Sequence, residues 1–156
     1  KRLTEEGSIN SKDVLNTDNP RRFELSMFHM HGLINGRSFK MNDVADDEIV
    51  EAGTIEIWDF INATQRMGMM GMQTPHPMHL HGAHFRVLER LGASSDGFFD
   101  KGWKDTVLLM PEERIRLQVR IGINPGLFLY HCHNLEHGDA GMMRNYYIKG
   151  NAPSTT

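Results

Sequence analysis

The chain has 156 residues, of which 24% are charged and 39% apolar, and a formal net charge of −3. That length suits one domain with a substantial core. The interspersed, slightly acidic charge argues against a nucleic-acid surface. No apolar run approaches the roughly 20 residues of a membrane span, and no segment has the layout of a signal peptide.

In chain order, residues 1–22 are polar and carry turn formers (Asn16, Asp18, Asn19, Pro20), which reads as a linker or N-terminal arm. Phe23 to Met30 is a predicted strand, followed by a turn at Ile34-Asn35-Gly36-Arg37. Thr54 to Asn62 is apolar on both faces, as a doubly covered strand would be. Strands are further predicted over His79 to Leu91, Thr106 to Met110, Gly126 to Cys132 and Met143 to Ile148, with Gly92 to Gly97 as punctuation. Arg114 to Ile121 alternates charged or polar with apolar residues, so one face is buried and the other, carrying Arg116 and Arg120, is solvated. Residues 151–156 form a polar tail. Several short strands separated by turn signals predict one all-β domain over 23–150, a sandwich of two sheets.

The chain has one cysteine, nine histidines and eleven methionines. A lone cysteine cannot form an internal disulfide, and alone it would be a small buried hydrophobe. Its neighbours point elsewhere. Two histidine clusters lie about fifty residues apart: His76-Pro77-Met78-His79-Leu80-His81-Gly82, and His131-Cys132-His133 continued by His137 and Met142. On a strand, alternate side chains share a face, so His131 and His133 point one way and Cys132 the other. One metal cannot readily take all three, and two sites on opposite sides of one strand follow. A loop after the strand can return His137 and Met142 to the Cys132 side, where His76 can join them. Two imidazoles, a thiolate and a weak axial thioether make the blue-copper electron-transfer set. His79 and His81 share a face and can join His131 and His133 in a second, histidine-only site. Zinc also accepts His and Cys but has no use for an axial methionine.

These residues resemble the third domain of the multicopper oxidases, the family of laccases, copper-efflux oxidases, spore-coat laccases and bilirubin oxidases. The likeness runs from about Phe23 to Ile148 and includes Gly102-Trp103-Lys104-Asp105-Thr106. It implies a cupredoxin-like Greek-key β-sandwich, with a type 1 copper held by His76, Cys132, His137 and Met142. It implies His79 for the type 2 copper and His81, His131 and His133 for the type 3 pair. By the same resemblance, electrons from a small reducing substrate enter at type 1 and pass through Cys132 to His131 and His133. They then reduce O₂ to water at the trinuclear cluster. In this family that cluster needs eight histidines, four of them from an N-terminal domain. This chain therefore builds half of one, needs that domain in cis or as a second chain as its partner, and is inactive as an isolated domain. The resemblance places the protein in the periplasm or outside the cell. Efflux and spore-coat relatives carry a proton-relaying glutamate directly after the second type 1 histidine. Here Gly138 stands in that place, and Asp139 is the candidate catalytic replacement.

Two other readings compete. A stand-alone blue-copper electron carrier needs only the Cys132 side and leaves His79, His81, His131 and His133 without purpose. A copper nitrite reductase carries a histidine on only one side of its cysteine. Weaker signals remain. Met67, Met69, Met70 and Met72 could take Cu(I), since thioethers are soft ligands, or simply pad a loop. His29-Met30-His31-Gly32 has the His-x-His-Gly form, yet falls where an early strand should be. His84 reads as structural or exposed. Asp105 is expected either to orient a ligand imidazole or to serve a turn.

Overall fold

The structure is a computed structural model that describes residues 13–62, 74–92 and 100–150. The methionine-rich loop, Gly92 to Gly97 beyond its first residue, most of the expected arm and the polar tail lie outside the described residues. Among the described residues, ten strands form two five-stranded sheets. The strands are β1 (Arg21–Phe28), β2 (His31–Ile34), β3 (Ile49–Glu51), β4 (Ile55–Asn62), β5 (His76–Leu80), β6 (Ala83–Leu91), β7 (Thr106–Leu109), β8 (Arg114–Ile121), β9 (Gly126–Cys132) and β10 (Met143–Lys149). One sheet runs β2-β1-β4-β8-β6 and the other β3-β10-β9-β5-β7. From β2 to β9 every connection crosses from one sheet to the other. The all-β, two-sheet sandwich read from the sequence is the fold observed. No described helix is long and apolar enough to cross a membrane.

The core fills the space between the sheets, where inward-facing residues of both interdigitate. Phe23, Trp58, Phe60, Phe85, Leu117, Tyr130, Tyr146 and Met78 are fully buried there. Phe23 stands at its centre, with its ring 4.9 Å from Trp58, 5.0 Å from Tyr130 and 5.7 Å from Phe60. β4 is buried on both faces, as its composition implied. Its acidic residues survive burial because each is paired. Glu56 accepts from the Arg21 guanidinium at 2.6 Å and the Trp58 indole at 2.9 Å, and Asp59 takes a two-pronged bond from Arg116 at 2.8 and 2.9 Å. Asn16 is drawn against β4, where its side chain bonds the backbone of Ile57 in both directions.

Two local expectations need correction. His79 to Leu91 is not one strand. It breaks at His81-Gly82, and its halves, β5 and β6, belong to different sheets. Gly82 makes that break possible: at φ +70° it sits so close to Phe128 that an added Cβ would lie 2.5 Å from the ring. The Arg116/Arg120 face is not merely solvated either. Arg116 is spent on Asp59, and the Arg120 guanidinium lies 4.5 Å from the centre of the Trp103 ring, a cation–π contact.

A buried polar knot pins the segment before β3 to the centre of the second sheet. Arg144 of β10, 1% exposed, reaches Glu48 at 2.8 and 2.6 Å and Asp43 at 2.8 Å, and the Tyr130 hydroxyl donates to Glu48 at 2.8 Å. The Asn145 amide donates to the carbonyls of Lys40, Met41 and Asp43. These bonds satisfy charges that would otherwise be costly to bury.

Candidate metal centre

β9 is the middle strand of its sheet, paired with β10 on one side and β5 on the other. The β5 register sets Met78 opposite Cys132 and His79 opposite His131. Both histidine motifs therefore meet on neighbouring strands, and the alternation of side chains sorts them onto two faces. The ladder runs past the strand ends, since His81 N–H donates to Leu129 O and His133 N–H to Pro77 O.

On the inward face, Cys132 is 1% exposed. Its Sγ is 3.6 Å from His76 Nδ1 and 3.5 Å from His137 Nδ1, and the two imidazoles lie 4.7 Å apart. His76 comes from the start of β5. His137 comes from the short helix α1 (Leu135–Asp139), whose first turn is capped by the Asn134 side chain accepting from Glu136 N–H at 3.2 Å. Met142 is fully buried. Its N–H donates to His137 O at 2.9 Å, and its carbonyl accepts from Cys132 N–H at 3.1 Å. Backbone bonds thus stitch Cys132, His137 and Met142 together, and His76 reaches them through its ring.

The electrostatics of this face suit a cation. Burial, and then the nearby His137, lower the His76 imidazole to about 4, so it is neutral at physiological pH with a lone pair to offer. Burial pushes the Cys132 thiol up to about 11. A dry thiol of this kind loses its proton to a metal rather than to water.

On the outward face, the ligand atoms of His79, His81 and His131 all lie within 4.8 Å of one another. His81 Nε2 and His131 Nε2 are 3.2 Å apart. His131 donates its Nδ1–H to the Cys132 carbonyl at 3.0 Å, which leaves Nε2 bare. His133 is exposed and stacks on His131 at 5.5 Å, but stands outside the close trio. Burial, and then the neighbouring His79, hold His81 below the ordinary histidine value. His131 is lowered in the same way, by burial first. Clustered imidazoles that resist protonation are ready to share a cation.

The remaining candidates fall elsewhere. His29 opens the two-residue turn between β1 and β2 and His31 begins β2, both exposed, with the His29 ring against Phe28 at 4.5 Å. Gly32 beside them is needed for another reason: an added Cβ would lie 2.5 Å from Met142 Cβ and 2.8 Å from Met142 N. His84 is exposed on β6. Asp139 ends α1, exposed to solvent. The carboxylate beside the outward histidines is Asp105, with Oδ1 3.8 Å from His79 Nδ1. Thr106, which sequence reasoning passed over, approaches closer still at 2.9 Å. Only the pairing of β5 with β7 reveals it, and no local pattern announces that pairing.

The donor sets fit copper. A thiol between two imidazoles, with a thioether residue bonded to both neighbours through its backbone, matches a soft one-electron metal better than zinc. The comparisons with known proteins agree. The sequence profile described as "Multicopper oxidase" matches residues 10–151. The chain is 33% identical over 123 residues to the multicopper oxidase mco of Staphylococcus epidermidis, covering 79% of this chain and 26% of that protein. It is 33% identical over 132 residues to the bilirubin oxidase of Albifimbria verrucaria, covering 81% of this chain and 22% of that one. The crystal structure of McoA multicopper oxidase from Aquifex aeolicus superposes with a TM-score of 0.67 at 35% identity, covering 87% of this chain and 31% of that one. The chain spans about a quarter of the length of the curated relatives it matches. Fold, donor sets and sequence agree that this chain belongs to the multicopper oxidase family, a family of copper-dependent oxidoreductases.

Proposed function

We propose that this chain is the copper-ligating C-terminal domain of an oxidase that takes electrons from a small reducing substrate and delivers them to O₂. In this reading His76, Cys132, His137 and Met142 hold a type 1 copper, and His79, His81, His131 and His133 supply half of a trinuclear cluster. An N-terminal cupredoxin domain supplies the other half, which agrees with the chain's share of its relatives' length. Copper bound in the two sets would supply one-electron redox chemistry and the means to reduce dioxygen.

The observation that carries the reading is the position of Cys132. Its side chain belongs to the inward set, while its carbonyl accepts the Nδ1–H of His131 in the outward set. One residue joins the two sites both by chain connectivity and by a hydrogen bond. The residues around it exclude water from the sulfur, keep His76 neutral and hold the ligand atoms of His79, His81 and His131 within 4.8 Å of one another. Asp139, exposed one residue beyond Gly138, is the carboxylate we assign to proton supply. A stand-alone electron carrier would have no use for the outward trio.

Metal analysis, visible and EPR spectra, and an oxygen electrode test this on the full-length protein carrying the chain. Blue colour, additional copper beyond the blue site and O₂ uptake with a reducing substrate are expected. A single copper with no oxygen consumption would leave only the electron carrier standing.

A further inference from the structure

The stretch Gly102-Trp103-Lys104-Asp105-Thr106 crosses between the sheets within a few residues. Lys104 exchanges both backbone hydrogen bonds with Phe85 of the first sheet at 2.7 Å. Thr106 already pairs with His79 of the second sheet. Asp105 is the corner between them, and its carbonyl accepts from Leu80 N–H at 3.0 Å. This short anchored corner presents two oxygens to one ring nitrogen. His79 Nδ1 lies 3.0 Å from Asp105 O and 2.9 Å from Thr106 Oγ1.

The polarity of these contacts can be deduced. A carbonyl oxygen only accepts. The Thr106 hydroxyl has one proton, and it donates that proton to Asp105 Oδ1 at 2.9 Å. Both oxygens facing Nδ1 are then acceptors, so Nδ1 must carry the hydrogen and the lone pair must reside on Nε2. We propose that Thr106 is the positioning residue of the outward histidine face, its hydroxyl oriented by the Asp105 carboxylate so that His79 is held in the tautomer that offers Nε2 to copper. A ligating histidine that donates its other N–H to a fixed acceptor keeps both ring angle and tautomer. The sequence places a β-branched residue here, so the hydroxyl has few rotamers in which to stray. Both acceptor contacts fall on the same ring nitrogen, and together they make a tautomer lock.

The inference rests on the copper reading of this face, and the test separates the two. The tautomer is read without metal, by long-range proton–nitrogen NMR on the copper-free protein carrying 15N-labelled histidine. Wild type should show His79 protonated at Nδ1. Thr106→Val keeps the shape and removes the hydroxyl, leaving the Asp105 carbonyl, already shared with Leu80 N–H, as the one acceptor for Nδ1–H. The Nε2–H form should therefore gain population over wild type, whereas Thr106→Ser should restore the wild-type pattern. In competition of cupric ion against a chelator, Thr106→Val should hold copper at this face about tenfold more weakly, with Thr106→Ser close to wild type. A wild-type His79 with a bare Nδ1, or a Thr106→Val protein unchanged in both tautomer and copper affinity, would overturn the proposal. Should Thr106→Val not fold, Thr106→Ala removes the same hydroxyl and is read in its place, with the same outcomes for and against. If the tautomer is as stated but no copper binds this face, the copper reading fails and the positioning inference stands as structure alone.

Discussion

Replacing Gly32 by alanine should disturb the Cys132 site although Gly32 carries no ligand. An alanine Cβ there would lie 2.5 Å from Met142 Cβ, 2.8 Å from its N and 3.0 Å from its Cα. Two of those atoms are backbone and cannot rotate away. Strand β2 cannot retreat freely either, because Gly32 N–H donates to Ala140 O at 2.9 Å and Gly32 pairs with Met27 in β1. Overpacking that must move main chain costs about 1–3 kcal/mol. Taking about 2 kcal/mol, the unfolding midpoint of a chain this size should fall by about 4–8 °C. The movement falls on Met142, whose N–H and carbonyl are tied to His137 and Cys132. The assay is calorimetry of the copper-free protein, with the blue absorption and EPR of the loaded form as a second readout. His29→Ala and His31→Ala serve as controls, since both are exposed and should stay within about 0.5 kcal/mol of wild type with spectra unchanged. A Gly32→Ala protein that melts with wild type and keeps its blue spectrum would refute the argument. A His31→Ala protein that loses copper would show that His-x-His-Gly is a ligand pair after all.

Other outcomes follow from the same geometry. Cys132→Ser should abolish the blue absorption and about one copper per chain, because a hydroxyl is a poor ligand for a soft metal, while copper at the outward histidines persists; retained blue colour would exclude Cys132 as the ligand. Glu48→Gln leaves Arg144 short of its main partner in a dry site and should cost about 3 kcal/mol, read as a shifted denaturant midpoint at constant slope; a change under about 0.5 kcal/mol would mean the knot contributes nothing. In the copper-free protein, stability should decline as pH falls from about 6.5 to about 4. Within that window the unfolded chain protonates His76 and the folded chain does not, which amounts to about 3 kcal/mol across the window. His76→Gln should flatten that part of the profile, and an unchanged slope would exclude His76 as its source.

The donor sets were legible because strand alternation is a local rule. Whether Cys132 and His131 face opposite ways depends only on adjacent positions in β9. The spacing of His137 and Met142 required only a short return, and α1 provides it. Other features were set by distant pairing. Nothing local in His79 to Leu91 shows that the chain changes sheets at Gly82, because each half alternates acceptably; the Phe128 ring that forces the break lies far along the chain. The contact of Thr106 with His79 depends likewise on β5 lying beside β7. The second appearance of His-x-His-Gly was ambiguous for the same reason: Gly82 accommodates a ring, Gly32 a neighbouring backbone, and the motif is identical in both.

The central place of β9 bears on how errors in folding are handled. A slip of one residue against β5 would turn every side chain of the strand over, sending Cys132 to the wet face and His131 and His133 into the dry one. Both donor sets would be lost together, and two imidazoles would be buried without partners. Under the proposed function, a misregistered molecule would therefore be inert and unstable, rather than one that accepts electrons with nowhere to send them. The hydrophobic pattern that selects the correct register acts at the same time as a proofreader of both donor sets.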